Sequence, residues 1–445
     1  MRGAIAAGHP LTAEAGARVL RDGGNAVDAL LAAAFTAFVT EGPLTGPAGG
    51  GFLLVHEPGA RATLLDCFFA VPKTRLGVME EVVIDFADAG TQVFHVGEGS
   101  VAVPGLVAGL EEAHCRFATF DWADLVEPAR ALAGQGVACD EPRAFLHGIL
   151  ASILLRDEGG RRVYGDPARV VTGELCATLE RIRDDRTAAV IELLPEYADD
   201  LAEYRVFDRV PLETALLGHA VLTTPPPSRG GAIVSAILER LGATEKPSTE
   251  DVARAIGDAY HESGSGKLTG TTHISVIDES GTAAALSSTL GSGSGHFRGG
   301  AQMNNMLGEL DVIGHEPRAA GTRLPSMLTP TLVLRDGRAR LVLGSAGSVR
   351  LAGAIAQVAW QVVGRSAPVE EAIDAPRLHV EGGTLHVEGG RSEEAMAGLE
   401  ESWDVVRWAG RNLYFGGVQA VELDPAGALS AAGDPRRGGV GVVAA

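Results

Sequence analysis

TTHISVIDESGTAAALSSTL, residues 271–290, is the stretch that decides the fold. Two alternating runs flank Glu279-Ser280-Gly281, a pattern typical of a β-hairpin whose loop glycine supplies a positive φ angle. This loop would place Thr271 opposite Thr289, so two hydroxyls would begin the polar face of the hairpin. A shift of one residue would exchange the two faces, which makes the pairing a testable expectation.

Thr271 directly follows a Gly/Ser-rich tract, SGSGKLTG, residues 263–270. A threonine hydroxyl is a weak nucleophile unless a base lies beside it. If the chain is cut between Gly270 and Thr271, the new α-amino group can serve as that base, because its ordinary pKa is about 7.7–8.0. The competing interpretation is a flexible linker followed by an ordinary threonine-rich strand.

The composition narrows the class of protein. The 445 residues are 46% hydrophobic and 21% charged, which suits one large globular domain or two smaller ones. A formal net charge of −20 argues against nucleic acid or an anionic membrane as the main partner, and we expect a small-molecule substrate. The four scattered cysteines lack CxxC spacing and GPAGGGF is no phosphate-binding loop, so no metal and no cofactor are expected.

Helical patterning begins near the start of the chain. Thr12 is a candidate N-cap of a first helix, and Asn25 begins a second one with Asp28 in capping-box position. The apolar stretch NAVDALLAAAFTAFVTE is too short to cross a membrane and suits a buried core helix. With no signal-like start, the sequence predicts a cytoplasmic protein, and its blocks of helices and strands predict layered α and β packing.

Short motifs along nearly the whole chain occur in an order that resembles the γ-glutamyltranspeptidase family of N-terminal-nucleophile hydrolases. They include AAGHPLTAEAGARVLRDGGNAVDAL, GPAGGGFLLVH, TTHISVID, MNNML, SMLTPTLVL, GSAGSVR, DAPRLHVEG, GGVQAV and GDPRRGG. The resemblance implies an α/β fold, the αββα sandwich. It also implies self-cleavage into a large part, residues 1–270, and a small part, residues 271–445. The two parts would stay associated as one composite domain, a state compatible with a dimer of such units.

The same resemblance assigns roles to individual residues. Thr271 takes the position of the family's processing and catalytic nucleophile, and Thr289 that of the threonine that supports it. Gly347 and Ser348 fall on the glycine pair whose backbone N–H groups form an oxyanion hole. His273 belongs to the family motif and is interpreted as structural.

The chain departs from the family at the positions that bind a γ-glutamyl group. Phe68 stands where the family has an arginine for the substrate's α-carboxylate, and an aromatic ring cannot form that bidentate contact. An asparagine, a polar residue and the first of two serines are replaced, whereas the acidic residue and the second serine remain. The replaced positions are Gly291 for the asparagine, Met306 for the polar residue and Pro325 for the first serine; the acid is Glu309 and the second serine is Ser326.

We therefore expect a divergent self-cleaving hydrolase in which Thr271 cleaves an acyl bond of a non-glutamyl substrate. That bond would be an amide, or an acyl C–C bond as in relatives assigned to 4-alkyl-proline specialised metabolism and antibiotic biosynthesis, where oxalate is released. One alternative is a conventional γ-glutamyl hydrolase or transferase acting on glutathione-like compounds, with Arg298 or Arg323 as the substitute arginine. Another is an unprocessed protein that binds a ligand without turnover.

Overall fold

A computed structural model describes residues 2–85, 91–263, 270–347 and 350–445. Two antiparallel sheets form its centre. The larger sheet contains, in spatial order, β22 (Val440–Ala444), β1 (Gly3–Ala7), β11 (Gly270–Asp278), β12 (Ala283–Gly291), β2 (Gly50–His56), β3 (Thr63–Cys67) and β8 (Phe207–Arg209). The smaller sheet contains β21 (Leu429–Gly433), β20 (Gly417–Leu423), β16 (Arg338–Ala346), β15 (Thr331–Arg335), β10 (His219–Thr223) and β9 (Leu212–Leu216). Because strands from before and after Gly270 contribute to each sheet, the chain forms one composite unit.

Helices cover the outer face of each sheet. The larger sheet is covered by α1 (Pro10–Arg21), α2 (Ala26–Thr40) and α3 (Leu106–Phe117), with α4 (Trp122–Gln135) and α8 (Gly173–Asp185) packed behind α2. The smaller sheet is covered by α11 (Gly230–Gly242) and α14 (Leu351–Arg365), with α12 (Thr249–Ser263) beside α11. The order of layers is helix, sheet, sheet, helix, so the predicted αββα sandwich is confirmed.

Short elements surround this sandwich. The remaining strands are β4 (Glu80–Asp85) with β5 (Thr91–Val96), β6 (Val137–Ala138) with β7 (Arg169–Val170), β13 (Phe297–Arg298) with β14 (Ala301–Gln302), and the sheet of β17 (Leu378–Glu381), β18 (Thr384–Val387) and β19 (Asp404–Arg407). The remaining helices are α5 (Glu141–Ile149), α6 (Ala151–Leu154), α7 (Glu158–Tyr164), α9 (Ala188–Leu193), α10 (Ala198–Glu203), α13 (Leu310–Ile313), α15 (Val369–Asp374) and α16 (Glu393–Ser402).

The β11–β12 hairpin has the predicted register along most of its length. Residues 272–277 pair with residues 283–288 in reverse order, and Gly281 in the loop has a φ angle of +87°. One face of the hairpin carries Ile274 and Val276, which pack in the apolar layer beneath α2. The alternation read from the sequence therefore identified the face that meets the helices.

The polar face of the hairpin is buried between the two sheets. His273 forms hydrogen bonds with the hydroxyls of Ser287 and Ser275, at 2.8 and 2.9 Å from its Nδ1 and Nε2 atoms. Gly344 on β16 leaves room for this ring, since a Cβ atom there would lie 2.3 Å from imidazole atoms. A buried histidine with both nitrogens partnered has a structural role, in agreement with the sequence interpretation.

Of the two helix caps predicted from the sequence, the structure confirms one and contradicts the other. Asn25 caps α2, and Asp28 completes the predicted capping box. The prediction for Thr12 is wrong, because His9 caps α1 and accepts a backbone N–H at 2.9 Å with its Nδ1 atom. A proline at the first helical position starts the helix there, and Thr12 instead donates its hydroxyl to Glu41 at 3.0 Å.

The predicted linker after Tyr260 lies mainly outside the described residues. Helix α12 continues to Ser263, and the structure resumes at Gly270 in β11. Within the part of the chain that the structure describes, no helix has both the length and the apolar character needed to span a membrane.

Candidate active site

Thr271, the predicted nucleophile, lies at a β-bulge in the larger sheet. The register of β11 against β12 shifts by one residue there, so Thr271 lies opposite two residues, Thr289 and Leu290. The expected one-to-one pairing of Thr271 with Thr289 is corrected accordingly. The Thr271 side chain is fully buried, and its hydroxyl has no hydrogen-bond partner among the described residues. It lines a cavity of about 80 Å³.

Thr289 contacts the peptide bond at which cleavage is predicted. Its hydroxyl donates a hydrogen bond to the carbonyl oxygen of Gly270, the residue that precedes Thr271. The same hydroxyl oxygen accepts the backbone N–H of Gly291 at 2.8 Å. A hydroxyl held in this way polarises the Gly270 carbonyl and favours negative charge on its oxygen.

Gly347 directly follows β16 and occupies a position that only glycine can fill. Its φ angle is +127°, and an added Cβ atom would lie 2.8 Å from the Cα atom of Gly416. The preceding residue, Ala346, lines the cavity that contains Thr271. The predicted oxyanion loop therefore begins at the wall of this cavity. Ser348, the second residue of the predicted pair, lies outside the described residues.

The cavity around Thr271 has a strongly basic lining. Its walls come from Gly8, the turn after α2, α5, the two hairpin threonines and the chain around β20. The lining residues are Gly8, Thr40, Glu41, Pro43, Leu44, Pro142, Arg143, Phe145, Leu146, His147, Thr271, Thr272, Ala346, Leu413, Gln419, Arg436 and Arg437. Of these residues, sequence reasoning singled out only Thr271 for a role at the site. The signal that could have found Arg436 and Arg437 is their position side by side in the family-like motif GDPRRGG.

Among the described residues of this lining, Glu41 carries the one carboxyl group. It is buried, and it accepts hydrogen bonds from the hydroxyls of Thr272 at 2.5 Å and Thr12 at 3.0 Å. Burial raises the pKa of Glu41, while these hydrogen bonds and the Arg143 guanidinium partly offset that shift. The Glu41 network fixes Thr272, the residue next to the predicted nucleophile.

Gly291, Met306 and Glu309 lie together beside Gly270 and Thr289, but they do not line this cavity. An added Cβ atom at Gly291 would lie 2.2 Å from Asn305 Oδ1 and 3.0 Å from Glu309 Oε1, so an asparagine there would require the Asn305 side chain to move. Glu309 Oε1 accepts the hydroxyl and the N–H of Ser292 at 2.6 and 3.0 Å. Burial raises the pKa of Glu309 to about 7, which weakens it as a carboxylate for a substrate ammonium.

Phe68 is also absent from the cavity lining. Its ring stacks on Phe52 with centroids 5.4 Å apart and meets Phe69 edge-on at 4.9 Å. Pro325 is half-buried, and the hydroxyl of buried Ser326 accepts a backbone N–H of its own turn at 3.0 Å. The six predicted substrate-binding residues therefore pack against other parts of the protein and do not line the Thr271 cavity.

The two substitute arginines considered from the sequence are engaged elsewhere. Arg298 pairs with Glu196 at 2.7 Å and Arg323 with Asp66 at 3.2 Å. Neither lines the cavity that contains Thr271. The arginines that do so, Arg143, Arg436 and Arg437, come from parts of the chain that sequence reasoning did not connect.

The family model described as Gamma-glutamyltranspeptidase matches residues 12–263 and 243–444. The chain belongs to the gamma-glutamyltranspeptidase family. It is 27% identical over 516 residues to the Acylase ACY 1 proenzyme of Pseudomonas sp. (strain SE83), covering 97% of this chain and 91% of that protein. It is also 27% identical over 538 residues to the Glutathione hydrolase proenzyme of Pseudomonas aeruginosa, covering 99% and 94%.

Solved structures also match the fold of this family member. A crystal structure of cephalosporin acylase from Bacillus halodurans superposes with a TM-score of 0.83 at 19% identity, covering 99% of this chain and 95% of that one. At this identity the likeness concerns the fold, which is that of the N-terminal-nucleophile hydrolases. Family and relatives together make this chain a hydrolase of the γ-glutamyltranspeptidase type, a divergent member at about one residue in four identical.

Proposed function

We propose that this family member cleaves itself between Gly270 and Thr271 and then uses Thr271 to hydrolyse an acyl bond of a non-glutamyl substrate. One observation carries the proposal. The Thr271 hydroxyl, which has no hydrogen-bond partner in the described parts of the chain, lies at a cavity wall, while Thr289 donates a hydrogen bond to the carbonyl of the Gly270–Thr271 bond. Nucleophile and polarised carbonyl belong to adjacent residues, as self-cleavage requires.

The proposed self-cleavage uses this arrangement in three steps. The Thr271 hydroxyl oxygen attacks the Gly270 carbonyl carbon and gives up its proton, and the Thr289 hydroxyl stabilises the oxyanion that forms. The C–N bond then breaks as the nitrogen takes up a proton, which leaves Gly270 esterified to Thr271. Water hydrolyses the ester to a Gly270 carboxylate and restores the hydroxyl of Thr271, which now has a free α-amino group.

Turnover repeats the attack on an external carbonyl. The Thr271 α-amine takes the hydroxyl proton, the oxygen bonds to the substrate's acyl carbon, and the backbone N–H groups after Ala346 receive the oxyanion. The leaving group departs with a proton, and water releases the acyl group from Thr271. For an amide substrate the products are a carboxylic acid and an amine.

The packing at the family's glutamyl-binding positions supports a non-glutamyl acyl group. Phe68 offers no hydrogen bond to a carboxylate, and it is stacked inside an aromatic cluster. Glu309 already accepts the hydroxyl of Ser292, and Asn305 and Glu309 fill the space beside Gly291. At the positions of Phe68 and Glu309, a γ-glutamyl group would find neither an arginine for its α-carboxylate nor a free carboxylate for its ammonium, and such a loss costs a substrate far more than a lost apolar contact does.

Acyl anilides provide the test. We expect the purified protein to release p-nitroaniline from simple acyl anilides, and to hydrolyse γ-glutamyl p-nitroanilide at least about 100-fold more slowly in kcat/KM. The Thr271→Ala variant is the blank. A clear preference for the γ-glutamyl anilide would instead establish the conventional hydrolase.

Cleavage of an acyl C–C bond makes a separate prediction. If the bond that breaks joins an oxalyl group to a carbon of the substrate, the oxalyl group is transferred to Thr271, the departing carbon takes up a proton, and water then releases oxalate, which is measured directly by enzymatic assay. Oxalate formation that Thr271→Ala abolishes would assign the C–C reaction to this site. Absence of both self-cleavage and turnover would favour the binding-protein alternative.

A further inference from the structure

We infer that Arg437 binds a carboxylate of the substrate, so that the acyl compounds taken by this enzyme are acidic; this inference rests on the proposed function of the Thr271 cavity. Arg437 lines that cavity together with Thr271. It occupies the side of the cavity where Gly347 begins the predicted oxyanion loop, and a Cβ atom at Gly347 would lie 3.4 Å from Arg437 Nη2.

The other two arginines of the cavity already have anionic partners. Arg436 forms two hydrogen bonds with Glu388, at 2.7 and 2.6 Å, and is almost fully buried. Arg143 pairs with Asp140 at 2.5 Å and donates to the carbonyl oxygen of Gly8 at 2.8 Å. Their charges are balanced inside the protein.

Arg437 lacks such a partner among the described residues. Its Nη2 atom donates to the carbonyl oxygen of Leu413 at 3.3 Å, and its Nε atom is buried without a hydrogen bond. The nearby carboxylate of Asp434 is already held by Arg377 at 2.6 Å and Arg436 at 3.2 Å. Burial, helped by Arg350, lowers the pKa of Arg437 to about 10, so the side chain remains charged at neutral pH.

The local charge contrasts with that of the whole chain. The protein has a formal net charge of −20, yet the described residues that line the cavity include three arginines and a single carboxyl group, Glu41. Burial makes Glu41 harder to ionise. Such a pocket attracts anions, and a half-free guanidinium fork matches the geometry of a carboxylate.

This placement assigns the carboxylate to the acyl part of the substrate. With the acyl carbon on Thr271 and its oxygen at the loop that starts at Gly347, the guanidinium of Arg437 lies beside that loop. Arg437 differs in this respect from the position of Phe68, where the family carries an arginine, because Phe68 does not line the cavity.

Calorimetric binding to the uncleaved Thr271→Ala protein tests the inference without turnover. The probes are monomethyl glutarate, which carries one carboxylate, and the neutral dimethyl ester. We expect the monoester to bind at least about tenfold more tightly, and Arg437→Gln to remove that preference, because a hydrogen bond to a charged group is lost. Arg437→Lys should retain part of it, and Arg298→Gln, outside the cavity, should retain it fully.

Three outcomes would overturn the inference: equal binding of both esters, binding of neither, or an unchanged preference in Arg437→Gln. Because Arg437 packs against the chain at Gly417, thermal unfolding of each variant is measured alongside, and the folded Arg437→Lys protein decides the case if Arg437→Gln unfolds. Failure of self-cleavage in the wild type would count against the proposed function alone. The two hypotheses therefore fail in different experiments.

Discussion

Thr289→Val is expected to slow self-cleavage by about 10- to 150-fold. Valine keeps the shape of threonine and removes the hydroxyl that donates to the Gly270 carbonyl oxygen. A hydrogen bond to a developing charge contributes about 1.5–3 kcal/mol, and each 1.36 kcal/mol changes a rate about tenfold. The buried N–H of Gly291, now 2.8 Å from the hydroxyl, would lose its acceptor, which should lower the free energy of unfolding by about 1–3 kcal/mol.

The assay follows cleavage in a pulse of cell-free translation, with the intact chain and its two products separated by mass. Thr289→Ser is the matched control, because it restores the hydroxyl and should cleave at close to the wild-type rate. Urea unfolding of uncleaved Thr271→Ala, with and without Thr289→Val, measures the stability effect separately. Cleavage of Thr289→Val at the wild-type rate would refute the role assigned to this hydrogen bond.

Three further changes test other parts of the site. Gly347→Ala should reduce kcat/KM for acyl anilides at least about 100-fold, whereas Gly337→Ala, also at positive φ but with open space around it, should leave kcat/KM unchanged. Phe68→Arg restores the family residue, yet it should bring no hydrolysis of γ-glutamyl anilide. Because the new charge would be buried without a partner, the free energy of unfolding in urea should fall by about 3–5 kcal/mol. A gain of γ-glutamyl anilide hydrolysis would contradict the packed arrangement around Phe68. Burial lowers the pKa of His273 from 6.5 to about 3, so the unfolded chain binds a proton that the folded one does not, and stability should fall below pH 6.5 by up to about 1.4 kcal/mol per pH unit. His273→Gln should flatten that slope between pH 6.5 and 4, and an unchanged slope would show that other groups cause it.

Much of the fold could be predicted from the sequence because the patterns that indicate it lie in short, continuous stretches of the chain. Alternation around Gly281 predicted a hairpin with the correct register over residues 272–277. The bulge at Thr271 was not accessible, since an alternating pattern gives no sign of one extra residue on the partner strand. The cap of the first helix was predicted wrongly because Pro10 starts α1, which makes the preceding residue, His9, the N-cap instead of Thr12.

The site could be predicted only in part from the sequence, because the residues that line it come from distant parts of the chain. Thr271 and Gly347 could be placed from motifs, and both lie at the same cavity or its edge. Arg143 and Arg437 are separated by most of the sequence, and only the sandwich brings them together. The substrate-binding residues were predicted from the resemblance to the family. The stacking of Phe68 on Phe52 shows that side chains fill the space around Phe68.

The central claim is that Thr271 becomes the N-terminus of a second chain, and intact mass of the purified protein tests it most directly. The account predicts two chains in the wild type that meet at Gly270 and Thr271, and one unbroken chain of 445 residues in Thr271→Ala. A wild-type protein that stays whole, or a Thr271→Ala variant that is cut at the same bond, would contradict it.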